Sequence, residues 1–66
     1  MMTAEQTKKV AILTAESAEN GNRQDVMIGA LAIYRFGDKD VVAMLKQDEV
    51  FADLLDYVHQ LESEKI

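Results

Sequence analysis

The residues from Val26 to Tyr34 form an uninterrupted apolar run, and a helix built from them would have no polar face. A helix that is apolar all round is normally buried all round. The whole chain has only 66 residues from which to supply the covering surfaces. The run therefore predicts a central helix with other helices packed around it, and it constrains the fold more than any other feature.

Helix signals also occur in the rest of the chain, which contains no proline. Each predicted helix follows a residue whose side chain can accept a hydrogen bond from the first turn, namely Thr3, Asn22, Asp38 or Asp48. Gln6 adds the capping-box spacing to Thr3, and glycines at 21 and 37 are expected to end the first two helices. Residues 1–66 are therefore predicted to form one all-α domain, a small bundle of three to four helices, at about 4–19, 23–36, 39–47 and 49–64.

Two features of the middle of the chain leave alternatives open. Leu31 to Leu45 could instead form a β-hairpin, because periodicity does not exclude short buried strands. The alanines and glycine within Gly29–Ala32 favour the helix, and Gly29 is best explained by a close packing contact. The third and fourth helices could also be continuous, since nothing between Lys46 and Glu49 forces a break.

The uncovered part of the fourth helix indicates that the chain associates with a second copy of itself. A domain of this size buries only about 60% of the surface of its unfolded chain, and without cysteine no disulfide can support it. Three helices could just cover the central one, but they would leave part of the fourth uncovered. A two-fold homodimer would complete the bundle. The residues expected at its interface are Ile28, Leu31, Phe51, Leu54, Leu55, Val58 and Leu61.

The net charge of −5 is concentrated in the second half of the chain. Residues 1–37 balance four acids with four bases, whereas residues 38–66 carry eight acids against Lys39, Lys46 and Lys65. An acidic half repels phosphates, which argues against direct nucleic-acid binding. No apolar run reaches the roughly 18 residues that span a bilayer, and the first residues do not resemble a signal peptide. These features predict no membrane contact and a cytoplasmic location.

No catalytic, cofactor-binding or metal site is predicted. Asp56, His59 and Glu62 are three residues apart on the fourth helix, a spacing that occurs on many solvated helix surfaces and is a very unspecific metal signal. His59 is the only histidine, and neither Ser17 nor Ser63 lies in a strand–turn–helix elbow. A helix-turn-helix around Gly37 is disfavoured because its recognition helix would carry several acids.

The sequence therefore predicts a non-catalytic protein-binding or regulatory module that contacts itself and another protein. The alternative is an acidic inhibitor, or nucleic-acid mimic, that blocks a nucleic-acid-binding protein. A minimal metal protein or enzyme would need a site shared between subunits. The residues expected to contact a foreign partner are Asp48, Glu49, Asp53 and Asp56. No stretch matches a motif of a known family.

Overall fold

The computed structural model describes residues 1–64. Four helices are present: α1 (Ala4–Glu19), α2 (Arg23–Phe36), α3 (Lys39–Leu45) and α4 (Glu49–Ser63). Between residues 1 and 64 there is no strand, so the all-α prediction is confirmed and the hairpin alternative is wrong. Within the same residues, every helix is too short or too polar to cross a lipid bilayer.

Local hydrogen bonds explain where the helices begin. The Thr3 hydroxyl accepts from the Gln6 backbone N–H at 3.1 Å, and the Gln6 side chain accepts from the Thr3 N–H at 2.9 Å. The predicted capping box is therefore present. At the other three helices, a side-chain oxygen of Asn22, Asp38 or Asp48 accepts from a backbone N–H of the first turn. Because each cap depends only on nearby residues, the helix starts follow directly from the sequence.

The structure also separates α3 from α4. α3 ends at Leu45, two residues before the predicted end. The N–H groups of Gln47 and Asp48 then donate to carbonyls three residues back, those of Met44 and Leu45. These tight turns end the helix, and Asp48 starts the next one by accepting from the Val50 N–H at 2.9 Å. The two helices are therefore not continuous. The predicted fourth helix extended to Glu64, which is the C-cap.

The core lies where α2 packs against both α1 and α4, while α3 packs against α1. The buried residues are Thr7, Ala11, Thr14, Ala30, Ile33, Val41, Leu55 and Val58. Within the single chain α2 is not buried on every side, since Ile28 is 59% exposed and Phe36 52%. Ile28 is one of the residues predicted to be covered by a second copy. α1 and α4 cover two sides of α2, and the seven-residue α3 is too short to cover another.

Gly29 lies at the closest approach between α1 and α2. A Cβ atom at this position would overlap Oγ1 of Thr14 and lie 3.1 Å from its Cβ. The Thr14 hydroxyl is held in place because it donates to the Val10 carbonyl at 2.7 Å. The predicted close packing contact at Gly29 is thus present. Gly21, by contrast, ends α1 with φ of +74°, a conformation that favours glycine.

A buried hydroxyl connects the start of α1 to the α2–α3 turn. Thr7 is fully buried; its Oγ1 donates to the Thr3 carbonyl at 2.8 Å and accepts from the Asp38 N–H at 2.9 Å. Next to it, the Met2 N–H donates to the Phe36 carbonyl at 2.8 Å. These bonds hold the N-terminal segment against the end of α2.

Candidate protein-binding groove

An open groove of about 560 Å³ lies between the second half of α1 and the first half of α4. We call it the α1–α4 groove, and it is lined by Thr14, Ala15, Ala18, Val26, Asp48, Val50, Phe51, Asp53, Leu54 and Tyr57. A hollow of about 460 Å³ adjoins it, shares Ala18, Val26, Leu54 and Tyr57 with it, and continues towards Gly21 and Arg23. The groove is mainly apolar and open to solvent.

The groove exists because α1 and α4 both pack on α2 without an extensive contact between themselves. On the α1 side the lining side chains are small, and Ala15 and Ala18 are both exposed. Large side chains at these positions would fill the gap between the helices. Alanines leave it open, so the chain itself does not cover the facing side of α4.

The α4 side of the groove is a regular apolar row. Val50, Leu54, Tyr57 and Leu61 recur at i, i+4, i+7 and i+11, and the first three line the groove. Val50 is 72% exposed and Tyr57 is 52% exposed, while the two leucines are half-buried. This spacing puts the row on one side of the helix. α4 therefore presents a second apolar edge beside the one that it buries in the core.

The charges at the groove have one sign. Of the described residues that line it, two are charged, and both are acids: Asp48 and Asp53. Glu49 is also exposed, next to Asp48. In residues 1–64, the single ion pair joins Arg35 to Glu62, so no salt bridge neutralises these acids there. The adjoining hollow contains one base, Arg23.

The residues predicted for self-association separate into three groups. Leu55 and Val58 are 3% and 0% exposed, so they stabilise the single chain and have almost no surface for a second copy. Phe51 and Leu54 are half-buried and line the groove. The other three lie elsewhere: Leu31 and Leu61 are half-buried, and Ile28 is exposed. Leu55 and Val58 thus face the core, whereas Leu54 and Leu61 belong to the more exposed row that also contains Val50 and Tyr57.

The four predicted partner-binding acids do not all line the groove. Asp48 and Asp53 line the groove, with Glu49 beside them. Asp56 instead lines a separate hollow with Tyr34, Lys46 and His59. Asp48 also has a structural role as the N-cap of α4. Half of this predicted set therefore belongs to the groove lining.

The ridge of Asp56, His59 and Glu62 connects two helices. Nδ1 of His59 and the Tyr34 hydroxyl are hydrogen-bonded at 2.6 Å, and Glu62 forms the ion pair with Arg35. Among the described residues, no group of three or more histidine or acidic side chains is placed to hold a metal ion. Tyr34 and Arg35 were not expected to contact α4, because only the packing of α2 on α4 brings them there.

A second exposed apolar surface lies on the other side of α1. We call it the α1–α2 face, and its apolar residues are Val10, Leu13, Ile28 and Ala32. Leu13 is 60% exposed and Ile28 is 59% exposed. Asp25 is the one charged side chain among the described residues that line it. This face differs from the groove in carrying less charge.

Sequence reasoning missed the composition of the groove. It indicated that part of α4 would stay uncovered, but it did not place Ala15 and Ala18 opposite Val50 and Tyr57. Comparisons with protein-family models, with curated proteins and with solved structures found no match. The chemistry of the groove is therefore the basis for the function proposed below.

Proposed function

We propose that this protein is a non-catalytic protein-binding or regulatory module whose partner occupies the α1–α4 groove. The observation that carries the proposal is the exposed row of Val50, Leu54 and Tyr57 opposite Ala15 and Ala18. Exposed apolar surface that is contiguous, in contrast to singly scattered residues, favours an interaction site. A concave shape adds shape complementarity, which a flat patch of the same composition would lack.

Tyr57 is the best candidate for the main anchor of such a contact. Tyrosine is enriched among the residues that dominate binding energy, and Tyr57 is 52% exposed. Full burial of an exposed valine or leucine side chain contributes about 1.5–3 kcal/mol, whereas association costs an estimated 4–15 kcal/mol. Val50 and Tyr57 alone are therefore insufficient, and the partner must also cover Leu54 and the alanines.

Affinity capture from the native host tests the proposal. The immobilised wild-type chain should retain a defined protein, and Tyr57→Ala should weaken the affinity for it roughly thirtyfold, as expected for a loss of about 2 kcal/mol, and lower its recovery. Met44→Ala is the matched control, because Met44 is 50% exposed on α3 and lies outside the groove. Circular dichroism should show equal helicity for all three. Equal recovery by wild type and Tyr57→Ala would contradict the proposal.

The acidic inhibitor is the second candidate, and one observation favours it. Glu49, Asp53 and Asp56 recur at i, i+4 and i+7 and are all exposed, so they lie along one side of α4. Such a row can occupy a basic cleft on a nucleic-acid-binding protein. Asp56→Lys breaks this row outside the groove, whereas Tyr57→Ala removes the apolar anchor inside it. Loss of partner capture in Asp56→Lys but not in Tyr57→Ala would therefore favour the acidic inhibitor.

We also propose that the chain self-associates, and that the α1–α2 face is the contact surface. Leu13 and Ile28 are both exposed there, and the face carries little charge, so two copies can meet without strong repulsion. Light scattering over a concentration series should give a mass that rises above 7.4 kDa. Ile28→Glu should return it to the monomer. A mass of 7.4 kDa at every concentration would exclude the dimer. The cytoplasmic location inferred from the sequence remains a prediction.

A further inference from the structure

We infer that the occupant of the α1–α4 groove is a basic amphipathic helix of another protein. This inference rests on the proposed function, because it specifies the chemistry of the partner for the same groove. Three properties of the groove support it: the spacing of the apolar row on α4, the small side chains of α1, and the sign of the charges on the rim.

The spacing of the apolar row matches a helix. Val50, Leu54 and Tyr57 are separated by four and then three residues, the alternation found along the seam between two packed helices. At a rise of 1.5 Å per residue, Val50 and Tyr57 are about 10 Å apart along the axis of α4. Two turns of an incoming helix, with apolar residues at the same spacing, cover that distance.

The α1 side of the groove allows such a helix to come close. Packed helices have axes about 8–10 Å apart, and small side chains at the contact favour the shorter distances. Ala15 and Ala18 are exposed and present only methyl groups to the groove. A helix between them and Tyr57 would complete a bundle with α1, α2 and α4. The small side chains of α1 therefore allow a helix to pack beside α1 and α4.

The rim charges select a basic partner. Asp48 and Asp53 line the groove, Glu49 is adjacent, and no lysine or arginine is among the described lining residues. Lysine and arginine place their aliphatic stems on apolar surface while their charged ends remain in water. On the flanks of a bound helix they would therefore contact both the apolar row and the acids.

The same charges argue against a second copy of this chain as the occupant. In a two-fold contact the same surface patch meets itself. A dimer centred on the groove would bring together Asp48, Glu49 and Asp53 of both copies. Each copy also carries a net charge of −5. Self-association is consequently assigned to the α1–α2 face, and the groove to a foreign helix.

Model peptides test this inference directly on the full chain. The probe is a fluorescent helical peptide of about 14 residues, near the length at which isolated helices become marginally stable. It carries leucines at i, i+4, i+7 and i+11 and lysines on both flanks. A second peptide has glutamates in place of the lysines, and a third has the composition of the first in scrambled order. Anisotropy titration should show saturable binding of the lysine peptide and at least roughly tenfold weaker binding of the other two.

Charge reversal in the protein provides the matched comparison. Asp53→Lys should weaken binding of the lysine peptide about tenfold and strengthen binding of the glutamate peptide. Asp56→Lys makes the same charge change on the same helix but outside the groove, so it should affect both peptides much less. Tyr57→Ala should weaken binding of the lysine peptide by at least roughly tenfold.

The possible outcomes are decisive. Equal binding of the lysine and glutamate peptides would overturn the inference that the partner helix is basic. It would leave the proposed binding function intact. Equal effects of Asp53→Lys and Asp56→Lys, or no effect of Tyr57→Ala, would overturn the groove as the site. Absence of saturable binding by the lysine peptide would overturn the inference, while host-protein capture by wild type and Tyr57→Ala still decides the proposed function independently.

Discussion

Replacing Gly29 by alanine should lower the free energy of unfolding by about 2–3 kcal/mol. Alanine is a better helix former than glycine by roughly 1 kcal/mol, so propensity alone predicts the opposite sign. The added Cβ would overlap the Thr14 hydroxyl, which is buried and bonded to the Val10 carbonyl. α1 and α2 must therefore move apart at their closest point, which disturbs the contact that contains most of the core.

Thermal and urea denaturation measure this effect. In a domain of this size, 2–3 kcal/mol corresponds to a fall in Tm of about 10–20 °C. Thr14→Ala is the compensating change, because it removes the hydroxyl and leaves the new Cβ facing the Thr14 Cβ at 3.1 Å. The double variant should be more stable than Gly29→Ala alone. An increase in stability for Gly29→Ala alone would show that the close approach is absent.

Replacing Thr7 by valine should lower the free energy of unfolding by about 2 kcal/mol, although the side chain keeps its shape. Valine offers no acceptor to the Asp38 N–H and no donor to the Thr3 carbonyl. The position is fully buried, so water does not readily replace the lost hydroxyl. The cost is that of leaving the Asp38 N–H without its partner at the start of α3.

Thr7→Ser provides the control for this prediction. Serine keeps the hydroxyl and lacks one methyl group, so Thr7→Ser should lower the free energy of unfolding by about 1 kcal/mol or less. Urea denaturation of the three proteins gives the comparison, and hydrogen exchange of the Asp38 amide should accelerate specifically in the valine variant. If the Thr7→Val variant were as stable as the wild type, the hydroxyl would have no role in joining α1 to the α2–α3 turn.

The helix boundaries could be predicted because their causes are local. The capping box of Thr3 and Gln6 and the cap at Asp48 depend on residues within a few positions of each helix start. The role of Gly29 could also be predicted, since a glycine inside an apolar helix usually marks a close approach of a neighbouring helix. The end of α3 could not be placed, because its last turn tightens without any glycine or proline.

The groove could not be predicted because it depends on how far apart two non-consecutive helices lie. Helical periodicity shows that α4 is broadly apolar, but it does not show which part of that width faces α2. Leu55 and Val58 turn inward, while Val50 and Tyr57 stay exposed. That choice depends on the rotation of α4 about its own axis, which only packing against α2 determines.

By itself, the sequence determined an acidic, all-helical chain whose helices begin directly after the caps Thr3, Asn22, Asp38 and Asp48, because capping and periodicity act over short distances. Only the tertiary structure decided that α2 keeps an exposed side at Ile28 and that an acid-rimmed groove separates α1 from α4. The physical reason is that burial depends on the distances between whole helices. Those distances follow from contacts such as Thr14 with Gly29, which join residues that are remote in the chain.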